Sequence, residues 1–384
     1  MGFDRTGFDR TRIKKQVLSS ALKSIGNKDL FHDLLAISWP QLQAILINLF
    51  AKRIERLSPH DVLRQYKQNR FVQPSAIDQR VFNIVDSAFF KNISENDEVI
   101  ELSTLAPIGS NSVLATIHQN NIISTVRNVE VMADAVTTLA LECAKRRQDG
   151  EADPITLYTS QREVRAQKYT EESGFLPHFR GVSIVSSYIF DGKDLSLANM
   201  LKKHIEFYLY GLREAVALID GLQVKNITVE ISSMRLLYVL IRKLNLDVEY
   251  VKKNARNKNF KLLEKTCLPN IIDVNETLNE DLTKKYRITR IINYVQRISK
   301  FATGKLQREF PDVSFIIRLD RTAGMGYYKD ITYEITAENK YGVRFQLASG
   351  GEVDWTRLLL QSKKERCIAG GMGTELLLTQ FINK

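Results

Sequence analysis

The stretch Arg162-Glu163-Val164-Arg165-Ala166-Gln167, with His178-Phe179 following after ten intervening residues, carries the decisive pattern of this chain. Residues 162–167 alternate as a strand. A polar loop holding Gly174 and Pro177 follows, and residues 182–190 return as a second strand rich in β-branched side chains. An Arg near the end of the first strand can be aimed at an anion, because its guanidinium is a planar fork of donors. Phe179, at the start of the return, can stack a flat ring. A plain hairpin with a surface Arg and a core Phe has the same spacing, and spacing alone favours that reading.

Around the hairpin the chain reads as strands in runs with helices set apart. Strands are expected at residues 98–103, 112–117, 121–126, 155–158, 227–231, 315–319, 332–336 and 344–347. Helices are expected at 133–147, at 195–218 as one long amphipathic element, and at 234–244. Residues 250–310 read as a basic helical insertion, with Lys252, Lys253, Arg256, Lys258, Lys261 and Lys265 crowded together. The pattern predicts an α+β domain with a largely antiparallel sheet. Upstream, apolar residues from Ile13 to about Arg70 recur at three and four, which predicts a compact extension of four short helices. Ser58-Pro59 opens the last of them, where the missing N–H of proline costs nothing. Gln73-Pro74-Ser75 closes the extension and divides the chain into residues 1–74 and 75–384. Gly-Phe-Asp-Arg-Thr occurs twice within residues 2–11. Two such copies are too short for a repeat architecture, so residues 1–11 read as a duplicated start outside the fold.

The 384 residues suffice for a full core, and 44% hydrophobic with 26% charged residues excludes wholesale disorder. No apolar run approaches the ~20 residues of a membrane span, and no signal-peptide pattern is present. The three cysteines, Cys143, Cys267 and Cys367, lie far apart without a CxxC pair, which fits a reducing cytoplasmic setting better than a disulfide framework. None of the five histidines has a metal-ligand spacing, and no metal site is expected. A net charge of +11 favours polyanionic partners, with RNA or protein binding expected through the basic insertion or the helical extension.

Three further segments can carry chemistry. Ala369-Gly370-Gly371-Met372-Gly373-Thr374-Glu375 runs from a strand through bare backbone into a helix, where a ligand can approach closely. It lacks the Gly-Lys-Ser/Thr of a phosphate loop and the βαβ context of a dinucleotide site. Gly324-Met325-Gly326-Tyr327-Tyr328 places paired aromatic hydroxyls at a strand entrance, suited to the floor of a small-molecule pocket. Leu105-Ala106-Pro107-Ile108-Gly109-Ser110 is a loop between strands.

Taken in order, these pieces resemble the catalytic domain of class II aminoacyl-tRNA synthetases, closest to the histidyl-tRNA synthetase-like group. Residues 105–110 resemble the strand-borne Leu-Arg-Pro-Glu-Gly-Thr segment, 165–179 the hairpin of motif 2, 324–328 the Gly-Leu-Asp-Tyr-Tyr segment, Gly350-Gly351 the glycine pair, and 371–376 motif 3. The resemblance covers the chain from Ser75 onward. It implies an antiparallel sheet flanked by helices, a two-fold homodimer through the helix that bears Phe82, Phe89 and Phe90, and ATP with Mg2+ as cofactors. By the same resemblance Arg165 is the catalytic α-phosphate ligand, and Gln167, Phe179, Gly371, Gly373 and Glu375 complete a nucleotide site. Ser110, His178, Arg321, Tyr327 and Tyr328 would line the pocket for a small carboxylic or amino acid.

The departures matter as much. Gln167 stands where the adenine-reading Glu belongs, a mild change because its carbonyl still accepts. Leu376 replaces the γ-phosphate Arg, Ile108 the Glu that pairs with the α-amine, and Ala323 the Arg that steadies the reacting carboxylate. The sequence ends just after motif 3, and no anticodon-binding domain is expected. Two readings follow: a paralogue that activates some carboxylic acid as an acyl-adenylate, or a catalytically silent subunit of the kind represented by the regulatory subunit of ATP phosphoribosyltransferase.

Overall fold

The computed structural model describes residues 7–166, 177–192, 194–255, 257 and 260–382, with the side chains of 7–15 left aside. Helices α1 (Gly7–Ile25), α2 (Leu30–Ala36), α3 (Trp39–Ile54) and α4 (Pro59–Gln68) form the extension. The second copy of the duplicated pentapeptide therefore opens α1 rather than lying outside the fold. Ser38 with Gln41 and Ser58 with Asp61 make capping boxes at α3 and α4, each with proline in the first turn. The four helices are as expected, but they are not compact: α2, α3 and α4 bury no residue, and Trp39, Leu49 and Phe50 are each more than half exposed. Periodicity and caps define the helices without supplying a surface in this chain for their apolar stripe to cover.

The core continues with α5 (Gln79–Phe90), β1 (Glu98–Val99), β2 (Leu105–Pro107), β3 (Val129–Val131), α6 (Ala135–Gln148), β4 (Ile155–Val164), β5 (His178–Ile189), α7 (Asp194–Leu218) and β6 (Lys225–Ser233). Then come α8 (Met234–Lys243), α9 (Val248–Asn254), β7 (Ile271–Asp273), α10 (Glu280–Lys285), α11 (Thr289–Thr303), α12 (Leu306–Glu309) and β8 (Ser314–Arg318). The chain closes with β9 (Ile331–Glu338), β10 (Arg344–Val353), α13 (Trp355–Leu359), β11 (Glu365–Met372) and α14 (Thr374–Phe381). Nine strands form one sheet in the order β1-β4-β5-β11-β10-β9-β6-β8-β7, antiparallel except at β1/β4 and β6/β8. Strands β2 and β3 make a small separate pair.

Some local expectations change. Residues 112–117 and 121–126 are not strands. A helical turn at Ser110–Leu114 and a 3₁₀ turn at Gln119–Asn121 replace them, because the buried Glu130 carboxylate draws the backbone N–H groups of Gly109 and Asn111 and the side chains of Asn111 and Gln119 around itself. The insertion is not wholly helical, since β7 adds to the sheet edge beside β8. Asp78 caps α5, its side chain accepting from the Arg80 N–H. Phe82 and Phe89 on α5 are buried in this chain's own core, so they offer no free apolar surface for a dimer.

Glycine seats the helices on the sheet. Gly350 and Gly370 are register partners on β10 and β11, and the Tyr333 ring lies across both. A Cβ at Gly370 would meet the Tyr333 hydroxyl at 2.0 Å, and one at Gly350 would meet it at 2.4 Å. That hydroxyl lies 3.3 Å from Nδ1 of His204 on α7, whose Nε2 lies 3.0 Å from Ser186 Oγ on β5. Burial lowers the His204 pKa to about 3, so its ring is neutral at pH 7. Gly211 does the same between helices, where a Cβ would sit 2.2 Å from the Phe89 ring.

Gly370→Ala is expected to cost about 1–3 kcal/mol through overpacking, read as a lowered urea midpoint. The cost should shrink when the same change is made in a Tyr333→Phe background, which removes the clashing oxygen. An equal cost in both backgrounds would show that the ring does not need the bare backbone.

Candidate functional site

Strands β4 and β5 pair Arg162 with Arg180, Glu163 with Phe179 and Val164 with His178. Alternation sends neighbouring side chains to opposite faces, so Arg162, His178 and Arg180 share one face, and Glu163, Arg165 and Phe179 share the other.

The first face clamps the linker to the core. Arg162 Nη1 lies 2.8 Å from His178 Nδ1 and 3.0 Å from Glu375 Oε2. His178 Nε2 donates to the Gln73 carbonyl at 2.6 Å. A carbonyl only accepts, so the proton sits on Nε2 and Nδ1 accepts from Arg162. Glu375 also accepts from the Arg180 backbone N–H at 2.9 Å and from the Ser75 hydroxyl. Arg180 pairs with Asp86 of α5 at 2.5 Å, and both Arg162 and Arg180 stand over the Phe82 ring. His178 and Glu375, expected at the pocket and the nucleotide, are thus separated from Arg165 and hold residues 73–75 in place.

The second face is built round Arg165. Its Nε donates to the Ala133 carbonyl at 2.8 Å, and its Nη2 lies 3.3 Å from Glu163 Oε2 and 3.5 Å from Asp134 Oδ2. Phe179 lies beneath the guanidinium, 5.0 Å from ring centre to Cζ. The other Glu163 oxygen accepts from Ala135 N at 3.0 Å, and the Tyr327 hydroxyl bonds to Asp134. Burial raises the Asp134 carboxyl despite Arg165. Burial and then the neighbouring Asp134 push Glu163 up to about 7. Tyr328 reaches Ser349, and its ring meets that of Tyr327 edge-on at 4.8 Å.

Further along the same face, Arg321 pairs with Glu334 at 2.9 Å and donates to the Ala323 carbonyl at 3.3 Å. Arg318 pairs with Glu230, the register partner of Glu334. Next to this quartet, Ser232 and Thr332 face each other across β6 and β9, fully buried, with hydroxyls that have no partner among the described residues. Arg321 Nη1 is likewise unpartnered. Gly371 leaves room on this side, since a Cβ there would touch only Ser183 Oγ at 3.5 Å, and Gly373 precedes the first turn of α14. Gln167 lies outside the described residues. Ser110 is spent internally, donating to the Pro107 carbonyl at 2.6 Å. Burial opposes ionisation of nearby Glu130, but hydrogen bonds from Gln119, Asn111 and Gly109 outweigh it and hold its pKa below the usual value. Among the described residues no group of three or more His, Cys, Asp or Glu converges on one point as a metal cage.

The structure therefore joins Arg165, Phe179 and Tyr327 around one centre, with Tyr328 against Tyr327 and Arg321 further along the face. It adds Asp134, Glu163 and Glu334, which the sequence reading missed. Glu163 was legible, because it stands two residues before Arg165 on an alternating strand. Asp134 was legible only as the residue preceding a helix.

The fold is class II synthetase-like. Solved structures similar to it include an ATP phosphoribosyltransferase regulatory subunit/histidyl-tRNA synthetase from Bacillus halodurans, at 15% identity and TM-score 0.60 over 82% of each chain. A histidine–tRNA ligase subunit from Alicyclobacillus acidocaldarius matches at 13% identity and TM-score 0.57 over 80% of this chain and 95% of its own. A histidyl-tRNA synthetase from a Nostoc species matches at 16% identity and TM-score 0.53, over 80% and 74%. No family model matches the sequence, and no curated protein does. No helix among the described residues is long and apolar enough to cross a membrane.

A carboxyl raised on folding binds its proton more tightly in the native state, so it destabilises the fold as pH climbs from its unfolded value toward its folded one. For Glu163 that window runs from about 4.5 to about 7. Relative to a Glu163→Gln variant, the parent should lose stability between pH 5 and 7, at up to about 1.4 kcal/mol per pH unit. Urea midpoints of both proteins across that range test this; a constant difference would mean that Glu163 is ionised throughout.

Proposed function

We propose that the chain is a non-adenylating paralogue of the class II synthetase core, a small-molecule-binding or regulatory subunit. The observation that carries this reading is the engagement of Arg165 between Asp134 and Glu163. To hold an α-phosphate, Arg165 would have to release the buried Glu163 and the half-buried Asp134. Breaking a buried pair costs ~3–5 kcal/mol, whereas a charged hydrogen bond to the phosphate returns ~1.5–3 kcal/mol. Leu376 has no charge to offer a γ-phosphate, and oriented cations are the main device of phosphoryl chemistry. Arg321, which could have replaced the missing cation near Ala323, is committed to Glu334. These residues do not fit an ATP–Mg2+ complex poised for adenylation.

Small-molecule binding is supported by the same face. Arg321 Nη1 and the Ser232 and Thr332 hydroxyls are buried without partners among the described residues, and such groups are costly unless something meets them. Their chemistry suits a small carboxylate. A protein partner is supported by the uncovered apolar stripe of the helical extension.

The test is pyrophosphate exchange into ATP, screened over amino and other carboxylic acids with Mg2+ supplied. No exchange above background is expected with any acid. Exchange with one of them that Arg165→Lys abolishes would overturn the proposal, because that variant keeps the charge beside Asp134 and Glu163 and loses only the fork.

A further inference from the structure

A second cleft lies on the α7 side of the large sheet, away from Arg165. It has a volume of about 1220 Å³ and opens between the ends of β5 and β10, the start of β11 and the first turns of α7, α8 and α11. Its buried floor includes Tyr188, Leu197 and Val353. Tyr188 is only 3% exposed, yet its hydroxyl has no hydrogen-bond partner among the described residues.

The charges in the cleft do not cancel. Arg297 pairs with Asp194, Arg235 with Asp330 at 3.2 Å, and Arg357 and Lys329 share Asp354 at 2.8 and 2.9 Å. Glu365 is held by Arg147 at 3.3 Å. Arg290 and Lys363 have no carboxylate among the described residues. Arg366 donates only to the carbonyls of Lys363 and Glu365 and lies over the Phe190 ring. Against these three cations stands one carboxyl, Glu352, which burial pushes up to about 7 and which accepts from Ile331 N at 3.1 Å. Helices α7, α8 and α11 all begin here, so their N-terminal partial charges add to the positive field.

We propose that this cleft binds a small phosphate ester bearing a flat ring, of nucleotide size. Arg290, Lys363 and Arg366 supply charge-assisted donors for the phosphoryl oxygens. The buried Tyr188 supplies a hydroxyl, and the half-buried Tyr294 ring, with Arg235 and Arg297 standing over it, supplies a flat wall. A recess with a buried floor suits a small molecule, whereas sequence-blind nucleic-acid binding uses a groove that tracks a backbone. The site is independent of the Arg165 face and of the function proposed for it.

Calorimetry with ADP, inorganic phosphate and a short single-stranded RNA tests the assignment on the full chain. Arg290 and Lys363 are exposed and unpaired, so a double Arg290→Ala, Lys363→Ala variant should keep the parent's circular dichroism. ADP is expected to bind the parent, to bind the double variant at least about tenfold more weakly, and to bind Arg165→Lys unchanged. Tyr188→Phe should weaken it several-fold. Any of three results would overturn the proposal: no ADP binding, ADP binding that the double variant retains, or RNA binding tighter than ADP and lost in the double variant.

Discussion

The Arg165 guanidinium pairs with both Asp134 and Glu163, and the site face is arranged around that contact. Asp134 leads into α6, Glu163 stands next to last on β4, and Glu163 also accepts the first N–H of α6. One side chain therefore ties the central hairpin to the helix packed on it. Desolvating charges costs several kcal/mol per ion, so such a cluster is stable only while all its members are present. That explains why the raised carboxyls lie beside a residue that the resemblance marks as a phosphate ligand. The electrostatics that would recruit an anion are already used within the chain.

The opposite face of the same hairpin does different work. Arg162, His178 and Glu375 form a chain of hydrogen bonds ending on Gln73 and Ser75. The point where the extension leaves the core is thus fixed by residues that sequence order associates with catalysis. Such residues have a structural use whatever chemistry lies beside them, so the presence of Glu375 by itself carries little information about function.

Much of the fold was legible in the sequence. The α+β class, the long helix over 195–218, the hairpin and the terminal helix all follow from periodicity and turn residues, and they are found within a few positions. Periodicity failed where a buried side chain organises the backbone, as Glu130 does with residues 109–119. It also could not tell whether an apolar stripe would be covered, which depends on long-range packing. At the site, the cations were legible, and of their partners only Glu163 was, by its place on the alternating strand. Arg165, Arg321, Tyr327 and Tyr328 stood out by motif, while Asp134 and Glu334 come from distant strands and loops and meet those residues only in the folded chain.

The seat of Tyr333 on Gly350 and Gly370 has a consequence for how this lineage can change. While the phenol is present, neither glycine can acquire a side chain without displacing it. A substitution at position 333 that removes the oxygen relieves the clash at 370, and one that removes the whole ring opens 350 as well; any side chain then fixed at either position closes the way back. The three sites thus behave as a ratchet. The order in which substitutions arrive, more than the cost of each alone, decides which descendants remain reachable.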